Sequence, residues 1–332
     1  MINQNKNLYI MSDKFRKSVT GIFVMILLCI CPFLVNAYCI GSDETEKSVQ
    51  NYSCVEVPRY VEFCGDTIDL TRYDRHERMD RELMAFSFMH STSIQTIKRA
   101  NRYFPVIVPI LKENGIPEDF KYLMAIESAC NPLARSGAGA AGLWQFMPTT
   151  GKEYGLEVNS HVDERYHIEK STVAACKYLK DAYRKFGDWV SVAASYNAGQ
   201  GRISQQQERQ YTDETLDLYL VEETARYVYR IFAAKILFSN PSAFGFYLRH
   251  SDLYPQIHYR TVKVSESISD LARFARGQGS TYALLKNLNP WLRSTSLPSR
   301  NGKEYTIKLP ENDKADYNPD FTIPYSKEWV VE

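Results

Sequence analysis

Residues 120–147 read FKYLMAI-ESACNPLARSGAGAAGLWQFM, and the way this stretch changes character at Glu127 governs the reading of the whole chain. Pro117 suits the first position of a helix, with Glu118 and Asp119 in its first turn. Phe120, Leu123, Met124 and Ile126 supply the apolar face, so Glu127 lies near the helix's C-terminal end. A loop of small residues, 136–142, follows. Gly142-Leu143-Trp144-Gln145-Phe146-Met147-Pro148 then reads as the start of a further helix.

Outward from this stretch the chain is helical from 75 to 245. Residues 77–89 put Met79, Leu83, Phe86 and Met89 on one face, and 94–114 do the same with Ile97, Phe104, Ile107 and Leu111, ending at Gly115. Pro105 and Pro109 predict a kink or break in the second helix. Residues 171–186 stop at Gly187, 189–198 stop at Gly199, and 222–238 are closed by Asn240-Pro241. Ahead of the helices, 38–74 is an extension with short β-like pieces at 59–63 and 67–70, expected to pack on the main domain. After Tyr254, alternation over 259–264, helical pieces at 268–275 and 282–288, and alternation over 305–309 give a β-α-α-β order. The fold class is mainly α, with a helical domain over 75–245, a small module over 256–311 and an unassigned tail over 312–332.

Residues 1–37 read as a secretory signal peptide: Lys14, Arg16 and Lys17 precede an apolar run over 19–35, and Val35-Asn36-Ala37 fits a cleavage site. Met11 is an alternative start. A lipid anchor at Cys39, or an uncleaved segment holding the protein at the membrane, are the rival readings. The expected location is the periplasm or cell envelope. The net charge is +1, and no basic run, zinc-finger spacing or P-loop appears, which argues against a nucleic-acid partner. Without residues 1–37 the balance is 36 basic against 38 acidic residues, so such a protein would find an anionic polymer by shape rather than by charge. Of the cysteines left, Cys39, Cys54 and Cys64 cluster and suggest a bridge among themselves, while Cys130 and Cys176 read as buried thiols. No C-x-x-C is present, and no cofactor or metal is expected.

A carboxyl at the edge of an apolar helix is partly desolvated, which raises its pKa and lets it hold a proton near neutrality. Glu127 is therefore a candidate general acid; a solvated or salt-bridged carboxylate is the plainer alternative. The small residues of 136–142 let a ligand approach the backbone, or simply make a tight connection. Gln145 suits an acetamido group, and Trp144 suits the core. Tyr196 and Asn197 end another helix with a hydroxyl and an amide, above a glycine cap. Thr224 and Tyr227, in Glu223-Thr224-x-x-Tyr227, share a face. Aromatic wealth, 23 Tyr and 16 Phe, fits stacking on sugar rings as well as an ordinary core. His76-Glu77-x-x-Asp80 lacks the second histidine of a zinc-protease motif, and no G-x-S-x-G occurs.

Taken in order, Glu127-Ser128, the loop from Ser136 to Met147 with GLWQF, Ser195-Tyr196-Asn197-Ala198-Gly199 and Glu223-Thr224-x-x-Tyr227 resemble the motifs of the lysozyme-like catalytic domain of SLT-type lytic transglycosylases, over 117–240. Thr149-x-Gly151 and Asp163-Glu164-Arg165 agree more weakly. The resemblance implies that Glu127 is the sole acid/base and that Ser136, Gln145, Met147, Tyr196, Asn197, Glu223 and Tyr227 line a cleft for peptidoglycan glycan strands. It implies cleavage between N-acetylmuramic acid and N-acetylglucosamine with formation of a 1,6-anhydro sugar. His167 and Cys130 depart from the family pattern, which bears on local packing. Leu288-Asn289-Pro290 and Ile307-x-Leu309-Pro310 resemble a degenerate LysM module, in which Ser265-Glu266-Ser267-Ile268 replaces the usual Gly-Asp-Thr-Leu; glycan binding and a structural cap both fit. A goose-type lysozyme, with water as the attacking group, and a non-catalytic peptidoglycan-binding protein are the alternative functions.

Overall fold

A computed structural model describes residues 54–299, 302–311 and 316–331; the expected signal peptide and Cys39 lie outside them. Strands β1 (Tyr60–Phe63) and β2 (Asp66–Asp69) pair antiparallel, with Phe63 opposite Asp66. The turn residues Cys64 and Gly65 have φ of 55° and 95°, as a tight hairpin with the strands' own twist requires. The Cys64 N–H donates to Asp119 Oδ2 at 2.7 Å. Phe63 is fully buried, its ring 5.9 Å from that of Phe120 and 5.2 Å from that of Phe232. The hairpin is therefore part of the helical core. Cys54 and Cys64 are free thiols, so no bridge joins them; Cys130 and Cys176 are buried and free, as their apolar neighbours suggest.

Helices α1 (Tyr73–Phe88) and α2 (His90–Glu113) are separated by Met89 alone. Contrary to the break predicted at the prolines, α2 runs through Pro105 and Pro109 as one element. An interior proline costs about 3 kcal/mol, and here Ala100, Phe104, Ile107, Val108 and Leu111 are buried along the same helix and hold it in place. Helix α3 (Phe120–Ser128) starts three residues later than Pro117 suggested: Phe120, Lys121 and Tyr122 donate to the carbonyls of Pro117, Glu118 and Asp119, a tighter turn that precedes the helix proper. Trp144, Gln145 and Met147 do not open a helix either; α4 (Pro148–Glu153) begins after them, with proline at its first position.

Helices α5 (Ile168–Phe186), α6 (Trp189–Ala198), α7 (Gln200–Gln210) and α8 (Glu222–Ser239) complete the body. The sequence pattern did not reveal α7, because Ile203 is its single buried residue and no apolar period arises. Helix α8 packs against α1, α3 and α6, and its buried residues (Thr224, Tyr227, Val228, Tyr229, Ile231 and Phe232 among them) occupy more than one face. It is the central helix.

In the C-terminal module β3 (Tyr259–Val264) pairs antiparallel with β4 (Tyr305–Pro310), and α9 (Leu271–Gly277) and α10 (Tyr282–Leu288) lie between them in sequence. This is the β-α-α-β order. Its core of Leu271, Ala275, Leu285, Trp291, Ile307 and Leu309 is continuous with Ala141, Val162 and Tyr166 of the preceding helical region. Backbone bonds tie the two, Asp163 N–H to Trp291 O and Arg293 N–H to His161 O. The tail, which sequence left unassigned, returns to the main body: Trp329 Nε1 donates to Phe238 O at 2.7 Å, and Tyr325 N–H donates to Asn101 Oδ1 at 2.7 Å.

Candidate active site

Glu127 stands one residue before the end of α3. The chain then reverses through Ala129 and Cys130, both left-handed with φ of 49° and 52°. A non-glycine residue pays about 1–2 kcal/mol for that conformation. The reversal is held by Asn131 N–H donating to Ser128 O, by the Arg99 guanidinium donating to Ala129 O, and by the complete burial of Cys130.

Central helix α8 brings Tyr227 against this end of α3. Its hydroxyl donates to Glu127 Oε1 at 2.5 Å, and Tyr227 is only 4% exposed. Burial pushes the half-buried Glu127 carboxyl up to about 7; the Tyr227 hydrogen bond and the positive charge of Arg230 pull it down, and the negative charge of Glu223 pushes it up. Burial, reinforced by Glu127's charge, also drives the Tyr196 and Tyr227 hydroxyls well above their usual range, so both stay protonated. A carboxyl with this pKa is held in both protonation states near neutrality, which suits a group that gives a proton and later takes one. Tyr227→Phe removes a bond that favours the carboxylate. Its expected result is a shift of the alkaline limb of the pH–rate profile to higher pH; an unmoved or lowered limb would contradict this account of Glu127.

The other residues singled out by sequence fall into two groups. Tyr196, on α6, donates its hydroxyl to Trp144 O at 2.7 Å, which leaves its oxygen as an acceptor. Asn197 Oδ1 accepts the Thr224 hydroxyl at 2.9 Å, so α6 and α8 are clasped beside Tyr227. Glu223 is exposed and acts on Glu127 through its charge, without a hydrogen bond to it. Ser136, Gln145 and Met147 lie on the intervening loop, and none of them bonds to Glu127. The Ser136 hydroxyl accepts the Ala140 N–H at 3.0 Å, inside the loop. Gln145, left-handed at φ 48°, turns its amide inward to Gly142 O at 2.7 Å and Ala134 O at 3.2 Å. Met147 is exposed. Trp144 is wholly buried with Nε1 donating to Thr172 Oγ1, a core residue as its type suggested.

Two further residues build the site: Arg165, named by the sequence only within a weaker motif match and without a role, and Glu82, which the sequence did not point to. Arg165 is buried, paired through Nε and Nη2 to Asp163, and its Nη1 donates to both Gly139 O and Phe146 O, tying the middle of the small-residue loop to the segment that follows it. Glu82, on α1 and 1% exposed, accepts from Arg226 at 2.5 Å and from Arg230 at 3.3 Å. Its single negative charge is shared by the two arginines on either side of Tyr227, which keeps net positive charge there. Their spacing of one helical turn on α8 is the signal that could have pointed to such an acid, but nothing local identifies which one. His167, one of the departures from the family pattern, stacks on Trp291 at 5.8 Å, where the module meets the body. Among the described residues no cluster of His, Cys, Asp and Glu is arranged to hold a metal ion, and no helix is long and apolar enough to cross a membrane.

Residues 105–218 match the transglycosylase SLT domain, and residues 260–313 match the soluble lytic transglycosylase C-terminal LysM-like domain. The chain is similar to membrane-bound lytic murein transglycosylase D of Escherichia coli K12, 28% identical over 256 residues; the match covers 74% of this chain but only 54% of that longer protein. It is 37% identical over 90 residues to the soluble lytic murein transglycosylase of the same organism, covering 25% of this chain and 14% of that one. The crystal structure of the 70 kDa soluble lytic transglycosylase of Escherichia coli superposes with a TM-score of 0.35 at 26% identity, over 41% of this chain and 24% of that one. Glu127 falls inside the matched SLT span, whereas Tyr227 and Glu82 lie on either side of it.

Proposed function

We propose that this chain, which carries an SLT transglycosylase domain followed by a LysM-like domain, is a peptidoglycan lytic transglycosylase that acts outside the cytoplasm, in the periplasm or cell envelope. The observation that carries the reading is Glu127 itself: a desolvated carboxyl with a pKa of about 7, touched by Tyr227 at 2.5 Å, within the span that matches the SLT domain. Protonated Glu127 donates to the oxygen linking N-acetylmuramic acid to N-acetylglucosamine, and that C–O bond breaks. Positive charge develops at the anomeric carbon, where the substrate's own N-acetyl oxygen stabilises it. Glu127, now ionised, takes the proton from the C6 hydroxyl of the same sugar as that oxygen closes the 1,6-anhydro ring, and no water is consumed.

Two groups are suited to the acetamido arm. Tyr196 has spent its proton on Trp144 and accepts an N–H; Asn197, with its amide oxygen engaged by Thr224, offers its amide hydrogens. Intramolecular attack outruns hydrolysis because the C6 hydroxyl is already in reach and the carboxyl is partly shielded from water. Mass spectrometry of muropeptides released from purified sacculi tests the reading. Anhydro ends are the expected product. Reducing ends alone would make the enzyme a goose-type hydrolase, and no release would leave a binding protein.

A further inference from the structure

A cavity of 680 Å³ lies beside the candidate site, walled by α1, α7, α8 and the segment before α8. Five of its lining residues are arginines (Arg78, Arg81, Arg202, Arg209 and Arg226) against a single acid, Glu222. Glu222 pairs with Arg81, and Glu82 holds Arg226 from the core side. Arg78, Arg202 and Arg209 have no ion-pair partner among the described residues. In a chain of net charge +1 such a concentration is no by-product of composition. Like charges gathered on one cavity repel, and an entering anion relieves that repulsion.

The wall of the cavity includes Ala198 and Thr224, the sequence neighbour and the hydrogen-bond donor of Asn197, so it adjoins the residues assigned to the sugar. Tyr219 and Leu220 add an apolar rim. A small inorganic anion would leave most of this space empty. An extended ligand with carboxylates on an aliphatic frame matches it better, because a guanidinium fork pairs with a carboxylate through two parallel hydrogen bonds.

We infer that this cavity binds the free carboxylates of the peptide attached to the glycan strand, so that the enzyme reads peptide as well as sugar. The inference rests on the peptidoglycan reading above. Arg202 and Arg209, exposed and seven residues apart on α7, are the residues to change, since neither supports the core.

Calorimetry on the full chain carrying Glu127→Gln, which leaves the ligand uncleaved, tests it with a disaccharide-tetrapeptide and with the same compound amidated at its carboxylates. Adding Arg202→Ala and Arg209→Ala should weaken binding of the free acid about tenfold, the scale of a charge-assisted bond or two. Amidation should weaken binding to the parent by a similar factor and make no difference to the double-arginine variant. Equal binding of acid and amide, undetectable binding of both, or a preference that survives the arginine changes would overturn the inference. So would arginine-dependent sedimentation with phosphatidylglycerol vesicles while muropeptide binding is unchanged, which would assign the cavity to a membrane surface. Product analysis on sacculi judges the transglycosylase reading separately, since it depends on Glu127 and not on these arginines.

Discussion

Glu127→Gln should lower the release of soluble muropeptides from sacculi by at least about 100-fold, the lower end of what a positioned general acid contributes. The substitution keeps the side chain's size, and a glutamine oxygen can still accept the Tyr227 hydroxyl, so the loss is chemical. Stability provides the control. The Glu127 pKa is raised from 4.5 to about 7 on folding, because burial disfavours the charged form. Between those two values the folded chain keeps a proton that the unfolded chain has lost. Stability therefore falls as pH rises through this window, and the loss is complete above the folded pKa. Glutamine never ionises and escapes it. Thermal unfolding at pH 8 should find the variant more stable than the parent, with the advantage fading below pH 4.5. Activity falling while stability rises is the signature of a functional rather than a structural carboxyl. Lysis by the variant within tenfold of the parent would remove Glu127 from the catalytic role.

Gly142→Ala is the second change with a large expected effect, and Gly137→Ala is its control. Gly142 has φ +78°, and a Cβ there would lie 1.9 Å from the Arg165 carbonyl oxygen and 2.8 Å from its carbonyl carbon. Both are backbone atoms of a residue locked by Asp163, Gly139 and Phe146, so they cannot step aside. The clash and the left-handed backbone together should destabilise the fold by on the order of 3 kcal/mol, seen as a lower urea midpoint, and lysis should fall with it. At Gly137 an added Cβ meets nothing within 4 Å, and its φ is unexceptional. That substitution should change stability by less than about 0.5 kcal/mol. Equal effects at the two glycines would show that loop flexibility, rather than the approach to Arg165, is what the small residues serve.

These two glycines show where sequence reasoning stops. A run of small residues is visible to anyone reading 136–142, and it suggested either close approach of a ligand or a tight connection. Its members are not equivalent, and the difference lies in Arg165, more than twenty residues downstream. The same holds for Gln145, whose residue type suits an acetamido group but whose amide is turned into its own loop. By contrast the helical character of the main body, the apolar lead into Glu127, the β-α-α-β order and the burial of Trp144 and Cys130 were all legible, because each follows from periodicity or side-chain type over a few neighbouring residues. The prolines of α2 misled for a related reason: local preference favours a break, and long-range burial outweighs it.

Local chemistry was enough to pick out Glu127 and to say why its carboxyl would hold a proton, since the apolar residues before it travel with it along the chain. The residues that surround that carboxyl are encoded elsewhere. Tyr227 lies one hundred residues away in sequence, Glu82 sits on the first helix, and the arginines of the neighbouring cavity come from three helices. Contacts of that range leave no periodic trace, because each depends on how whole helices pack. Only the packing of central helix α8 against α1, α3 and α6 sets a tyrosine, an arginine pair sharing one buried acid and a basic cavity around one desolvated carboxyl.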